Sequence, residues 1–228
     1  MSPPAGRRFD ALHRARRTER QPVSGPRCEM CVEGIGERHA HVVDLESRRL
    51  LCTCRPCSYL FVTDGAAAGR YRAVPERHLR FTGARLSPQQ WDELRVPVGL
   101  AFFFHNSRTG STAAFYPGPA GATEAEVPEQ AWEAVRAANP ELAVAEPDVE
   151  AVLIAAGTAQ RAEPGEPEDF ECFLVPVDTC YELVGVLRAQ WRGFDGGSEV
   201  RAGIERFFTG LRGRSREVPA AGDGGVRA

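Results

Sequence analysis

Residues 28–31 read Cys-Glu-Met-Cys and residues 52–57 read Cys-Thr-Cys-Arg-Pro-Cys, so five of the seven cysteines fall within one short stretch of the chain. Two Cys-x2-Cys motifs joined by a short segment are typical of a small fold that gathers four thiolates around one tetrahedral metal ion. In each motif the intervening backbone amides point at the sulfurs and offset their charge. The spacing therefore predicts a metal site, and it says little about a reaction.

The predicted ligands are the cysteines of the two motifs: Cys28, Cys31, Cys54 and Cys57. Cys52 stands two residues before Cys54, so in an extended strand both side chains point to the same face. Cys52 is therefore either an alternative ligand or a spare buried thiol. His39 and His41 lie between the motifs and are also two residues apart. We interpret them as partly solvated neighbours on one strand face, because four thiolates already fill a tetrahedral shell; the alternative is a role as ligands.

The sequence carries no recognisable export or membrane signal. No apolar stretch follows the start at Met1, and the pair Arg7-Arg8 has no hydrophobic region after it. No apolar run is long enough to span a bilayer. We therefore expect a soluble, cytoplasmic protein without a membrane partner, in which clustered cysteines are metal ligands or redox groups rather than disulfides.

The composition excludes some classes of function. The net charge of −3 argues against a general nucleic-acid-binding protein. All 28 basic residues are arginine, so the chain offers neither a lysine for a Schiff base nor the lysine of a phosphate-binding P-loop. A hydrophobic fraction of 43% is sufficient for a core, and 228 residues are enough for one medium-sized domain and a small module.

Four segments are predicted along the chain. An arginine-rich flexible arm (residues 1–23) comes first. It is followed by a four-cysteine metal-binding ribbon of the zinc-ribbon or rubredoxin-like type (24–64). An α+β domain (70–212) and a disordered tail (213–228) complete the chain. Within the ribbon, residues 41–43 and 49–51 read as two strands around a turn, and the apolar run 59–62 reads as a third strand. A module this small has little core, so a metal would supply much of its stability.

The α+β domain combines well-signalled helices with buried strands. Ser87, Pro88 and Gln90 form a helix start with a capping box, and Thr179 with Glu182 suggests a second one. Further helices are predicted over 128–138 and from a cap at Ser198 onward. Strands are predicted at residues 98–104, 113–116, 149–155 and 171–177. We expect an α+β sandwich: a mostly antiparallel sheet with helices on one face.

No recognised catalytic motif is present in this domain. The sequence lacks Gly-x-Ser-x-Gly, a dinucleotide-binding glycine fingerprint and His-Glu-x-x-His. His105 at a strand end has no evident catalytic partner. Cys172 and Cys180 have apolar neighbours and read as small buried hydrophobes, with a redox pair as the alternative. We predict no catalytic residue.

Several segments together resemble a known family: residues 27–31, 39–44, 51–57, 96–104 and 175–197. The chain resembles an uncharacterised family of actinobacterial proteins, often encoded beside the genes of a high-affinity nickel–iron uptake hydrogenase. The resemblance covers about residues 24–212, and the family's cysteine pattern falls on the five clustered cysteines, with His41 nearby. It implies a hydrogenase setting and no particular reaction.

Three functions are compatible with these observations. The first is a non-catalytic accessory protein with zinc in the four-cysteine site, which supports maturation or assembly of a nickel–iron hydrogenase by contacting a subunit or maturation factor. The second is a rubredoxin-like one-electron carrier with iron at the same sulfurs, although neither cysteine motif is followed by the glycine usual in rubredoxin loops. The third, a zinc-ribbon nucleic-acid-binding protein, is disfavoured by the net acidity.

Overall fold

The computed structural model describes residues 25–118, 121–156, 170–191 and 197–219, which form two β-sheets. The predicted arm at 1–23 and the end of the predicted tail lie outside the described residues. None of the helices in the described part of the chain has the length and apolar character needed to cross a bilayer.

The smaller sheet, which we call the ribbon sheet, has three antiparallel strands in the order β2-β1-β3: β1 (Ala40–Asp44), β2 (Arg49–Thr53) and β3 (Tyr71–Ala73). The first two are the predicted strands. The turn between them is closed by the Asp44 carboxylate, which accepts hydrogen bonds from the amides of Glu46 and Ser47. The third strand lies beyond residue 64, the predicted end of the ribbon, and pairs with β1.

The apolar run at residues 59–62 is not a strand, so that prediction is wrong. A short helix, α1 (Arg55–Tyr59), begins after Cys54 with Pro56 in its first turn, and a turn follows it. Proline suits the first turn of a helix, where its missing N–H has no intrahelical acceptor. A four-residue apolar run does not distinguish a strand from the exposed end of such a helix.

The larger sheet has seven strands in the order β10-β4-β9-β8-β5-β6-β7, and all neighbouring pairs are antiparallel except β10 with β4. The predicted mostly antiparallel sheet is therefore confirmed. Its strands are β4 (Leu79–Phe81), β5 (Leu100–Asn106), β6 (Ser111–Gly118), β7 (Gly121–Glu126), β8 (Glu150–Ala156), β9 (Phe170–Pro176) and β10 (Arg216–Val218).

Helices pack on both faces of this sheet, so the expectation of helices on one face is wrong. The helices are α2 (Pro88–Glu93), α3 (Glu129–Ala138), α4 (Val177–Gln190) and α5 (Gly197–Arg214). The sheet has one hydrophobic core on each face, and alternate residues of β8 point into different cores. Ile154 packs with α3 residues such as Trp132, whereas Leu153 packs with Leu183 of α4 and Phe208 of α5. Successive strand residues point to opposite faces, and here both faces are apolar.

The two predicted capping boxes have different outcomes. Ser87 caps α2 as expected: its hydroxyl accepts the Gln90 amide at 3.1 Å, and the Gln90 side chain accepts the Ser87 amide at 2.9 Å. The box at Thr179 and Glu182 is wrong, because α4 already begins at Val177. Thr179 instead contacts His78, at 2.9 Å between its hydroxyl and the ring Nε2.

The segment after residue 212 is partly ordered, contrary to the predicted disordered tail. Helix α5 continues to Arg214, and β10 adds a parallel edge strand beside β4. The amide of Arg216 donates to the carbonyl of His78, and the Val218 side chain packs against the core. Three residues are too few to show strand periodicity in the sequence.

A small apolar cluster joins the two sheets. Val43 of the ribbon sheet packs with Val74 and Val149, and all three are buried. The Arg72 side chain also donates to the carbonyl of Pro147, and Arg108 donates to the carbonyl of Leu45. The ribbon sheet is thereby placed against the larger sheet and the start of α4.

Candidate metal centre

The structure brings the four predicted cysteine ligands together. The sulfurs of Cys28, Cys31, Cys54 and Cys57 all lie within 4.8 Å of one another, and those of Cys31 and Cys54 are 3.6 Å apart. Four tetrahedral zinc–sulfur bonds of about 2.3 Å require sulfurs about 3.8 Å apart. This four-cysteine site could therefore hold a metal ion, and the same geometry suits zinc and iron.

Local backbone structure positions the first pair of sulfurs. The chain folds back after Cys28, whose amide donates to the carbonyl of Glu33 and whose carbonyl accepts the amide of Val32. Val32 makes this turn with a φ of 65°. That is the left-handed region, which is uncommon for a β-branched residue. The turn directs both sulfurs of the first motif inward from one short loop.

The second pair of sulfurs lies on a helical turn. Cys54 directly precedes α1 and Cys57 lies inside it, so a spacing of three places both on the same side of the helix. Glu29 attaches the first motif to this region: its amide donates to the carbonyl of Cys52, and its carboxylate accepts the Cys52 amide at 2.7 Å. The two motifs are therefore held together by hydrogen bonds of their own.

The environment of the sulfurs favours ionisation at one of the four cysteines and opposes it at others. Burial alone would raise the pKa of Cys28, but hydrogen bonds from the backbone at Cys54, Cys31 and Met30 outweigh it and lower that pKa to about 6. In contrast, the hydrogen-bonded thiol of Cys54, together with burial, raises the pKa of Cys57. The Cys28 thiolate therefore forms readily while Cys57 resists ionisation, and a bound cation would remove that resistance.

Cys52 lies apart from these four, in a second group with His39 and His41. One ligand atom from each of the three lies within 4.8 Å of the other two. His41 and Cys52 are direct partners in the β1–β2 register, and the rings of His39 and His41 are 4.6 Å apart. The sequence pattern placed both histidines on one strand face, but it could not show that Cys52 shares that face with them.

The other cysteines are buried and separate. Cys172 and Cys180 are 2% and 3% exposed, and burial raises the pKa of both thiols. They belong to the cores on opposite faces of the large sheet. The interpretation as small buried hydrophobes is therefore confirmed, and a redox pair between them is excluded by the sheet that separates them.

A cleft of about 530 Å³ lies between the ribbon sheet, strands β5–β7 and helix α4. Its apolar wall includes Phe102, Phe104 and Phe115, and Asp148 lies among its polar residues. One oxygen of the Asp148 carboxylate accepts the Ser107 amide, while the other is buried without a hydrogen-bond partner among the described residues. This volume is in the range of small-molecule sites.

Comparison with known proteins gives a family for the chain. Residues 27–215 match a family of unknown function, DUF5947, and the chain belongs to it. No curated protein and no solved structure matches the chain.

Proposed function

We propose that this member of the DUF5947 family is a non-catalytic accessory protein whose four-cysteine site holds zinc and whose ribbon segment contacts a protein partner. The observation that carries the proposal is the convergence of four sulfurs within 4.8 Å. Four thiolates complete a tetrahedral shell, whereas a catalytic zinc normally keeps one position for water. A closed centre of this kind stabilises a fold and performs no reaction.

The need for a stabilising metal follows from how little core the ribbon segment has. Its buried apolar side chains near the cysteines are few, and Val42 and Val43 are the principal ones within β1. A module of this size gains most of its folding free energy from the bound ion. Zinc is the metal that structural four-cysteine sites most often hold.

Exposed apolar side chains beside the cysteines support a role in protein contact. Tyr59, Leu60 and Val62 follow the second motif and are 64%, 67% and 65% exposed, and Val32 follows the first motif. Large apolar side chains concentrated on one surface are typical of interaction sites. We call Tyr59, Leu60 and Val62 the apolar edge; a metal at Cys54 and Cys57 would fix helix α1, whose last residue is Tyr59 and after which Leu60 and Val62 follow.

The partner that we propose is a subunit or maturation factor of a nickel–iron hydrogenase. This step rests on the resemblance of the cysteine motifs and of residues 175–197 to a family that is encoded beside hydrogenase genes. The protein would then support assembly or maturation through contacts of the apolar edge.

An electron carrier with iron at the same site is the alternative function. It is favoured by the exposure of Cys31, through which an electron could enter the centre. Tetrahedral thiolate coordination suits both metals. A reddish protein that bleaches on reduction would support iron, and a colourless protein would support zinc.

The experiment uses gene deletion and complementation in a host that carries the hydrogenase genes. We expect the deletion to lower hydrogenase activity and the wild-type gene to restore it. A Leu60→Ser/Val62→Ser gene should fail to restore it, because the apolar edge loses its contact area. The matched control is Val144→Ser, which changes an exposed valine (46% exposed) away from the cysteines. Unchanged activity in the deletion strain would contradict the proposal.

A further inference from the structure

We propose that His39, His41 and Cys52 form a second metal site, which binds zinc through three protein ligands and leaves one coordination position open. His41 stands directly opposite Cys52 in the β1–β2 hairpin, and His39 directly precedes β1, with its ring 4.6 Å from that of His41. Side chains of directly opposed residues are neighbours on a sheet face. Ligand atoms within 4.8 Å of one another need only small side-chain movements to contact one ion.

The hydrogen bonds of the two histidines fix which ring nitrogen is available. The Nδ1 of His39 is 2.9 Å from the carbonyl oxygen of Gly36, and the Nδ1 of His41 is 2.9 Å from the carboxylate of Asp178. Both oxygens only accept hydrogen bonds, so each Nδ1 must donate its proton. In the neutral rings the lone pair is then on Nε2, which is the form that a metal binds.

The Nε2 of His39 is buried and has no hydrogen-bond partner among the described residues. A buried polar atom without a partner is unfavourable, by about 1–3 kcal/mol. A metal ion on this lone pair would satisfy it.

The surroundings of the histidines are those of metal ligands. Histidines that bind metals commonly donate their second ring nitrogen to a carboxylate or a backbone carbonyl, which orients the ring and raises its basicity. His41 has the first arrangement, through Asp178, and His39 has the second, through Gly36. Asp178 belongs to α4, so the large domain supplies a positioning residue to a site on the ribbon sheet.

The ligand set indicates which cation would bind. Two imidazoles and one thiolate suit zinc, whereas calcium and magnesium prefer oxygen ligands. Three protein ligands leave a fourth tetrahedral position for water or for a ligand from another molecule. This site therefore differs from the closed four-cysteine site, although Cys52 and Cys54 are separated by only one residue.

The test counts zinc ions per chain in full-length protein made without a histidine tag, demetallated, and reloaded with Zn²⁺ alone. We expect two ions in the wild type, one in Cys52→Ser, and one in Cys57→Ser, which lacks a ligand of the other site. His105→Gln is the matched control, because the ring of His105 contacts the hydroxyl of Thr112 on the large sheet, and this variant should keep two ions. Far-UV circular dichroism checks that each variant is folded.

Asp178→Asn provides a second readout that does not remove a ligand. It should lower the affinity for the second zinc ion alone, by about 10–100-fold, as measured by competition with a chelator. In protein loaded with Co²⁺, the second site should contribute a visible absorption spectrum typical of a cobalt ion with a single thiolate ligand. This contribution should disappear in Cys52→Ser and persist in Cys57→Ser.

The outcomes separate this inference from the proposed function. The second site would be overturned if the wild type binds a single ion and Cys57→Ser removes it. It would also be overturned if Cys52→Ser keeps two ions. Both results would leave the four-cysteine site intact. Two ions in Cys57→Ser would instead contradict the proposed function. An intense blue colour with Cu²⁺, together with no tight zinc binding, would overturn the assignment of the metal.

Discussion

At the scale of single residues, the most demanding feature outside the cysteines is a buried carboxylate. The Glu150 side chain is 0% exposed and lies at the start of β8. Arg77 donates to both of its oxygens, at 2.7 Å each, and the amide of Glu146 donates to one of them at 2.9 Å. A buried charge is tolerated only when it is paired and hydrogen-bonded in this way.

We predict that Arg77→Leu strongly destabilises the protein, because it leaves the Glu150 charge buried with a single amide donor. Removal of one partner of a buried pair costs about 3–5 kcal/mol; partial exposure of Arg77 (41%) places the expected loss near the lower end. The measurement is the midpoint of urea unfolding. Arg136→Leu, which breaks an exposed pair with Glu133, is the control and should change stability by less than about 0.5 kcal/mol. Equal effects of the two substitutions would contradict the role of Glu150.

At the scale of elements, backbone contacts restrict where a side chain can be added. Gly99 precedes β5, and its carbonyl accepts the amide of Ala156 at 2.6 Å. A Cβ at Gly99 would lie 2.3 Å from the carbonyl oxygen of Ala156, which belongs to the backbone and cannot rotate away. Gly185 inside α4 has open space at the same position.

The substitutions Gly99→Ala and Gly185→Ala should therefore have opposite effects. The first should destabilise the protein by about 1–3 kcal/mol, because the end of β8 must shift. The second should stabilise it by up to about 1 kcal/mol, because alanine is the better helix former. Thermal unfolding of both variants tests this. A stabilising Gly99→Ala would mean that β5 and β8 do not approach each other as closely as described.

Elements with strong local signals could be predicted from the sequence, and short ones could not. The capping box at Ser87 and the long apolar strands β5, β8 and β9 carry their own signals. In contrast, β3 and β10 have three residues each and depend on the neighbouring strand for their hydrogen bonds. Helices on both faces were not predicted, although β8 carries the signal for them: a strand that is buried on both faces reads as a near-continuous apolar run.

The same distinction applies to the sites. The four-cysteine site follows from the spacing of two local motifs, so the sequence could predict it. The group of His39, His41 and Cys52 depends on strand register, and Asp178 reaches it from 137 residues along the chain. Neither register nor long-range contact is visible in one sequence.

At the scale of the whole molecule, the ribbon sheet and the large sheet have separate sources of stability. Among the described residues, the two larger hydrophobic clusters contain none from the ribbon sheet. The ribbon sheet contacts the rest through the small cluster around Val43, the hydrogen bond from Arg72 to Pro147 and the contact between His41 and Asp178. Loss of metal should therefore destabilise the ribbon sheet more than the large sheet.

We predict that a chelator lowers the hydrogen-exchange protection of β1 and β2 by about tenfold or more, because the metal supplies much of their folding free energy. Amides of β8 and β9, in the middle of the large sheet, should keep their protection. Exchange measured by mass spectrometry on peptides from both regions would show the difference. Equal loss in both regions would mean that the two sheets unfold as one unit.

The central claim is that Cys28, Cys31, Cys54 and Cys57 hold a structural metal ion. The most direct test is the metal content of protein purified without added metal, for the wild type, Cys57→Ser and Cys52→Ser. The account predicts colourless, zinc-containing wild-type protein, loss of the four-thiolate ion in Cys57→Ser, and retention of that ion in Cys52→Ser. Full metal content in Cys57→Ser, or loss of the four-thiolate ion in Cys52→Ser, would contradict it.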